Sequence, residues 1–420
     1  MQYAYFPMEI CVIGAGYVGL TTAVCFADMG NKVRIIDIDK EKIEKIRKGV
    51  PPIYEEGLEE MLKRNIDRIK ATHEYEFDEK IIFICVGTPS LPDGKIDLKY
   101  VINAVEEIAK KMQDDSLIVI KSTVFPGTTE KILLPLVEKY GKKFSIAMNP
   151  EFLREGQAIY DFMNPDRIVI GVLDSKAEEI LKELYKPIKA PLLVMTPTEA
   201  EMVKYASNSF LATKISFANE IGNLCKILGI DVYKVMEGVA KDHRISPHFL
   251  NAGIGFGGSC FPKDLKALYA GAKELGYDMK LIKAVLDINE EQPLRLVKLL
   301  EKYMSVEGKT IAILGLAFKP NTDDVREARS IPIIRELIRK KAIIKAYDPM
   351  AMENMKKIFP NIIYCKSKEE ALENADACLI LTEWKEFEET DFSKMRNKLV
   401  IEGRRILKTK EGIKYDGICW

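Results

Sequence analysis

Histidine is nearly absent: three residues in a chain of 420, none at ligand spacing to a cysteine. The eight cysteines, at 11, 25, 85, 225, 260, 365, 378 and 419, form no C-x-x-C pair. No metal site is therefore expected. A net charge is also missing, because 63 basic residues balance 63 acidic ones. Nucleic acid and anionic membranes thus have no electrostatic footprint. No run of about 18 uncharged apolar residues occurs, so no transmembrane helix is expected. The N-terminal stretch MQYAYFPMEICVIG lacks the basic and apolar segments of a secretory leader. Cys85 and Cys378 sit inside apolar runs and read as small core residues. A reducing cytoplasm is the expected location.

What is present can bury real cores: 47% of residues are hydrophobic and 30% charged. The length predicts two or three domains. EICVIG, KVRIIDI, IIFICVG, LIVIKST, FSIAMNP and DRIVIGV are short apolar runs suited to strands buried on both faces. Helical patterns such as LKYVINAVEEIAKKM separate them. From about Thr198 strand signals stop, and one long helix followed by others is predicted to about residue 300, with Thr198 and Glu201 as its capping pair. KTIAILGLAF, AIIKAYDP, NIIYC, ACLILT and NKLVIEGR then restore the alternation. The expected fold class is α/β: an N-terminal Rossmann domain over 1–198, a central helical, dimer-forming domain over 199–300, and a C-terminal Rossmann-like α/β domain over 301–420.

Gly14-Ala15-Gly16-Tyr17-Val18-Gly19 follows a strand and opens a helix, and a second strand ends in Asp37. Those glycines suit a tight turn and close approach of a pyrophosphate. Asp37 suits a ribose hydroxyl and would repel a 2′-phosphate, so NAD is favoured over NADP. Thr88 and Thr123 end two further strands, where α/β folds bind ligands; simple helix caps are the equal alternative. In GIGFGGSCFPKD, Cys260 precedes a helix whose first residue is expected to be Pro262. The helix dipole and Lys263 would favour a thiolate there, and Asp264 could hold water. The glycines would let a substrate approach the backbone. An inert cysteine in a glycine-rich loop is the alternative. Lys204 and Asn208 share a helix face and are both donors suited to an oxyanion. Glu151 and Glu155 in NPEFLREG follow a strand, where solvated loop carboxylates are the plainer reading.

Together these segments resemble the UDP-glucose/GDP-mannose dehydrogenase family. The resemblance rests on VIGAGYVGL, VGTPS, KSTVFPGTT, NPEFLREG, EMVKYASNSFLATKISFANE, GIGFGGSCFPKD, LGLAFKPNTDDVREA and EGRRIL, in order along nearly the whole chain. It implies oxidation of a sugar C6 alcohol to a carboxylate with two NAD molecules, through a thiohemiacetal and a thioester on Cys260. By the same resemblance Lys204 and Asn208 stabilise oxyanions, Glu151 is the acid/base residue, and Thr123 with Asp264 holds water. Cofactor contacts are implied at Gly14, Gly16, Tyr17, Val18, Gly19, Asp37, Lys42, Thr88, Thr123, Glu155, Lys263 and Arg326. Substrate contacts are implied at Glu151, Phe152, Leu153, Lys204, Asn208, Phe249, Leu250, Asn251, Ala252, Gly253, Gly257, Lys319 and Arg404. Arg244 resembles an arginine supplied by a neighbouring subunit, which implies a homodimer. The third region has only Gly315 and Asp348 of a dinucleotide fingerprint, which suits a UDP-sugar. UDP-glucose is the expected substrate, with GDP-mannose or a UDP-N-acetylhexosamine open. A two-electron hydroxyacid-type dehydrogenase, needing no thiol, and a non-catalytic nucleotide-sugar binder are the readings of other types.

Overall fold

The structure is a computed structural model that describes residues 6–420. The first five residues of the stretch read for a leader lie outside the described residues. The chain forms two compact units, Met1–Ala206 and Ser207–Trp420.

Among the described residues the first unit holds β1 Glu9–Ile13, β2 Lys32–Ile36, β3 Ile69–Thr72, β4 Ile81–Ile84, β5 Ser116–Ile120, β6 Phe144–Met148, β7 Ile168–Val172 and β8 Leu192–Met195. They form one sheet in the order β3-β2-β1-β4-β5-β6-β7-β8. The first six run parallel in the doubly wound order, whose strand reversal lies between β1 and β4. β7 turns antiparallel against β6. Every residue of β4 is buried, because helices cover both faces; Phe26 of the helix Tyr17–Asp28 packs on Phe83 at 5.1 Å between ring centroids. β3 and β8 went unread in the sequence. Lys70, Leu193 and Val194 on them are exposed, so neither run carries the pattern of a strand buried on both faces.

In the second unit β9 Thr310–Leu314, β10 Ile343–Tyr347, β11 Ile363–Tyr364, β12 Ala377–Ile380, β13 Leu399–Glu402 and β14 Lys414–Gly417 form a parallel sheet. Its order, β11-β10-β9-β12-β13-β14, repeats that of the first six strands of the other sheet. β14 was missed because KYDG reads as a turn.

Between the sheets in sequence come the helices Pro197–Leu228, Val232–Ala240, Phe261–Glu274 and Lys280–Glu301. The capping pair of the long helix lies two residues before the expected one. Thr196 N donates to Glu199 Oε2 (2.8 Å) and Glu199 N to Thr196 Oγ1 (3.3 Å), with Pro197 as the first helical residue. Thr198 and Glu201 are used elsewhere. Thr198 N donates to Glu130 Oε1 (2.9 Å), and Glu201 accepts from Gly127 N (2.5 Å) and Thr129 N (2.9 Å). Inside this helix Gly222 leaves room for Cys419, whose Cβ would lie 2.7 Å from an added Cβ.

Candidate active site

The first unit builds a nucleotide turn from three glycines with different jobs. Gly14 has φ +98°, and a Cβ there would meet the Cys85 carbonyl oxygen at 2.8 Å. A Cβ on Gly19 would lie 1.8 Å from the Gly14 carbonyl oxygen. Gly16 faces open space and caps the helix Tyr17–Asp28 without a side-chain acceptor. The first helical amides therefore point outward bare, as a phosphate group requires. Asp37, just past β2, accepts from Ala15 N (2.6 Å) and Asp39 N (2.9 Å), which fixes its carboxylate beside the turn with lone pairs left over. The turn thus fits a dinucleotide. Val18 lies half-buried within it. Lys42 sits in the first turn of the helix Lys40–Arg47, while Thr88 and Thr123 lie just beyond β4 and β5.

The loop after β6 holds the second cluster. Lys204, buried on the long helix, donates to Glu151 twice: to its carbonyl oxygen (2.7 Å) and to Oε1 (2.8 Å). Leu153 N donates to Oε2 (2.6 Å). Burial pushes the Glu151 carboxyl up, but Lys204 outweighs it and the carboxyl sits below its ordinary value. Arg167 stacks on the Phe152 ring at 3.9 Å, with Lys204 5.6 Å from its centroid. Glu155 is half-buried on the same loop. Behind it Lys121 donates to Asn149 Oδ1 (2.9 Å), and burial brings its ammonium down to about 8.

The second unit mounts the thiol. Cys260 caps the helix Phe261–Glu274, which begins one residue before the expected start at Pro262. Asp264, fully buried, accepts from Asn208 Nδ2 on one oxygen and Lys263 Nζ on the other, each at 2.7 Å. Ser259 Oγ lies 3.6 Å from Cys260 Sγ. The glycines before Cys260, expected to let a substrate approach the backbone, have the protein itself on the side a Cβ would take. At Gly257 it would meet Glu327 O at 2.4 Å, and at Gly258 the Phe318 ring at 2.7 Å.

Three buried amides hold this loop. Asn219 Oδ1 accepts from Gly253 N (2.7 Å), Gln292 Nε2 donates to Gly253 O (2.9 Å), and Asn289 Oδ1 accepts from Phe256 N (2.7 Å). Arg404 donates to the Gly255 carbonyl. Leu250 and Ala252 are buried; Phe249 and Asn251 face outward. Beside them Asp231, Tyr233, Met236, Leu250, Asn251 and Arg405 line a cavity of about 670 Å³, with Arg405 paired to Asp231 at 2.8 Å. Lys319 lies 5.6 Å from the Phe318 ring centroid. Arg326 and Arg244 are exposed and grip Asp324 and Asp242 two residues upstream, at 2.6 and 2.5 Å.

The second sheet repeats the aspartate at the end of its second strand, yet uses it differently. Asp348 is fully buried and accepts from Leu316 N, Ala317 N and Trp384 Nε1 on Oδ2, and from Met350 N and Ala351 N on Oδ1. Its lone pairs are spent within the protein, so it has nothing to offer a ribose. Sequence reading passed over Glu55, Lys121, Asn219, Asn289, Gln292 and Arg405. The amides left one trace: polar residues at positions where a helix buries its apolar side. Among the described residues no cluster of three or more His, Cys, Asp or Glu could hold a metal, and no helix is long and apolar enough to cross a membrane.

A hydride acceptor's turn in one unit and a mounted thiol in the other define a class, the nicotinamide-dependent dehydrogenases. Comparison with known proteins narrows it. Three models of the UDP-glucose/GDP-mannose dehydrogenase family match in order: the NAD binding domain over 8–189, the central domain over 198–291 and the UDP binding domain over 312–409. A UDP-glucose 6-dehydrogenase of Haloferax volcanii is 44% identical, over 98% of this chain and 100% of that protein. TuaD of Bacillus subtilis, also a UDP-glucose 6-dehydrogenase, is 46% identical over 96% and 90%. The solved UDP-glucose dehydrogenase of Pyrobaculum islandicum superposes with a TM-score of 0.96 at 44% identity, covering 100% of this chain and 99% of that one. The chain belongs to the UDP-glucose/GDP-mannose dehydrogenase family, whose chemistry is an NAD-dependent four-electron oxidation.

Proposed function

We propose that this chain oxidises UDP-glucose at C6 to UDP-glucuronate, with Cys260 holding the sugar between two oxidations. The observation that carries this is selective exposure: seven of the eight cysteines are buried, and Cys260, at a helix start, is partly exposed. NAD supplies the oxidising power, accepting one hydride at each of two steps. In the first, the C6 hydroxyl loses its proton, C6 loses a hydride, and an aldehyde forms. The Cys260 thiolate, favoured by the helix dipole and Lys263, adds to the carbonyl carbon and makes a C–S bond. The oxygen becomes an oxyanion, for which Lys204 and Asn208 are the donors. Protonation gives the thiohemiacetal, and loss of a second hydride and the hydroxyl proton gives a thioester. Water held by Thr123 and Asp264 attacks it, the C–S bond breaks, and the carboxylate leaves with the thiol restored. Glu151 moves protons in these steps.

For the cofactor we assign Gly14, Gly16, Tyr17, Val18, Gly19, Asp37, Lys42, Thr88, Thr123, Glu155, Lys263 and Arg326. For the nucleotide sugar we assign Glu151 to Leu153, Lys204, Asn208, Phe249 to Gly253, Gly257, Lys319 and Arg404. The division 1–198, 199–300 and 301–420 follows those roles. The partner is a second copy of the chain, which supplies Arg244. Phe210, Phe217 and Leu224 recur every seven residues on the long helix at 66%, 49% and 53% exposure, an apolar stripe suited to pairing with itself. A reducing, cytoplasmic setting suits the thiol.

The test is an NADH-linked assay across UDP-glucose, UDP-GlcNAc, UDP-ManNAc and GDP-mannose. Two NADH per UDP-glucose, with acid formed, are expected. One NADH per sugar, with Cys260→Ser fully active, would instead indicate a two-electron dehydrogenase.

A further inference from the structure

Glu55 belongs to none of the sequence motifs and lies on the segment between the helices Lys40–Arg47 and Leu58–Arg64, only 5% exposed. Its carboxylate is where three stretches of the first unit meet. It accepts from the Tyr17 hydroxyl, from Gly156 N (2.7 Å) and from Ala158 N (2.7 Å). The same Tyr17 oxygen accepts from Gly156 N (3.0 Å), and Arg154 O at 3.3 Å is a longer, alternative acceptor for its single proton. Tyr17 is the first residue of the helix whose bare amides form the nucleotide turn. Gly156 and Ala158 end the loop that starts with Glu151, and Lys204 grips the other end of that loop. So the loop is clamped twice, once to the long helix and once to the nucleotide turn.

The donors on Glu55 come from both stretches. If the turn and the loop moved apart, a buried carboxylate would lose charge-assisted hydrogen bonds without water to replace them. The two stretches are therefore held to move together. We propose that Glu55 is a positioning residue that couples occupancy of the nucleotide turn to the placement of the Glu151 loop. This rests on the reading above, in which Gly14–Gly19 binds NAD and Glu151 faces the reacting sugar. Burial and the neighbouring Glu55 keep the Tyr17 hydroxyl protonated, so it stays a donor throughout the working pH range.

The test is hydrogen–deuterium exchange on the full chain with and without NAD, together with NAD affinity by calorimetry and kcat. In the wild type NAD should slow exchange both in 14–20 and in 150–158. In Glu55→Gln the amide nitrogen faces a donor; NAD should still protect 14–20 but no longer 150–158. Its affinity should fall on the order of tenfold, as a lost coupling requires. Tyr17→Phe removes one hydroxyl and leaves Glu55 its two backbone donors, so it keeps the fold and should show the same loss of protection. Both variants retaining wild-type protection of 150–158 at saturating NAD would overturn the coupling, even with the enzyme fully active. If NAD fails to protect 14–20 in the wild type, the cofactor reading itself falls and the coupling with it. Coupling intact in a wild type that makes no NADH would uphold this inference and defeat only the proposed reaction.

Discussion

Replacing Lys204 with methionine removes one charge from a buried pair and leaves the other. The Lys204 and Glu151 side chains are 4% and 7% exposed. Methionine keeps most of the volume, so the loss is electrostatic rather than a cavity. Glu151 then retains Leu153 N at 2.6 Å and the more distant charge of Lys121. Breaking a buried pair costs about 3–5 kcal/mol because the remaining charge is stranded. In a unit of this size each kcal/mol moves Tm by roughly 2–4 °C, so the loss at pH 7.5 should be about 6–20 °C.

The pH dependence separates this cause from a packing defect. In the wild type the Glu151 carboxyl sits below its ordinary value of 4.5, so its contribution is present above that pH and lost in acid. Without Lys204 the largest lowering influence is gone, and burial, the leading influence, shifts the carboxyl upward. The variant's cost is then full at pH 7.5 and fades as the carboxyl takes up a proton on the way to pH 5. Calorimetric unfolding at the two pH values measures it. A deficit of equal size at both, or one below about 1 kcal/mol, would refute the stranded-charge account. Adding Glu151→Gln to Lys204→Met should restore part of the stability, since no buried charge is then left unpaired.

Cys260→Ala should abolish acid formation and leave Tm within about 1 °C, because a partly exposed side chain at a helix cap contributes little packing; a large drop in Tm would mark a structural thiol. Lys121 is brought down from 10.5 to about 8 by burial, so the unfolded chain binds more protons between those values and wild-type stability should rise across that window by about 3 kcal/mol. Lys121→Met should remove that rise, read as the difference in urea midpoint between pH 7.5 and 10; an unchanged difference would count against a buried charged lysine. Phe217→Asp should shift the sedimentation of the chain from dimer to monomer at micromolar concentration, with activity falling as Arg244 is withdrawn; an unshifted profile would mean the stripe is not the interface.

What could be read in advance were features whose cause is local. Runs such as IIFI show a strand buried on both faces directly, because the alternation is missing for a physical reason. Partner-dependent features gave equal signals to right and wrong readings. Thr196–Glu199 and Thr198–Glu201 both have capping-box spacing; the first pair caps because Glu201 is bound by Gly127 and Thr129, some 70 residues upstream. Gly16 and Gly257 look alike in sequence, yet one faces open space and the other the Glu327 carbonyl. Asp37 and Asp348 end the second strands of two sheets with the same order. Asp37 keeps lone pairs for a ligand, while Asp348 is closed by the indole of Trp384, 36 residues further on. A glycine or an aspartate at a strand end therefore indicates only that the backbone turns there. Whether the place beside the turn stays open depends on whether a distant side chain has already filled it, and in this fold the same motif shows both cases.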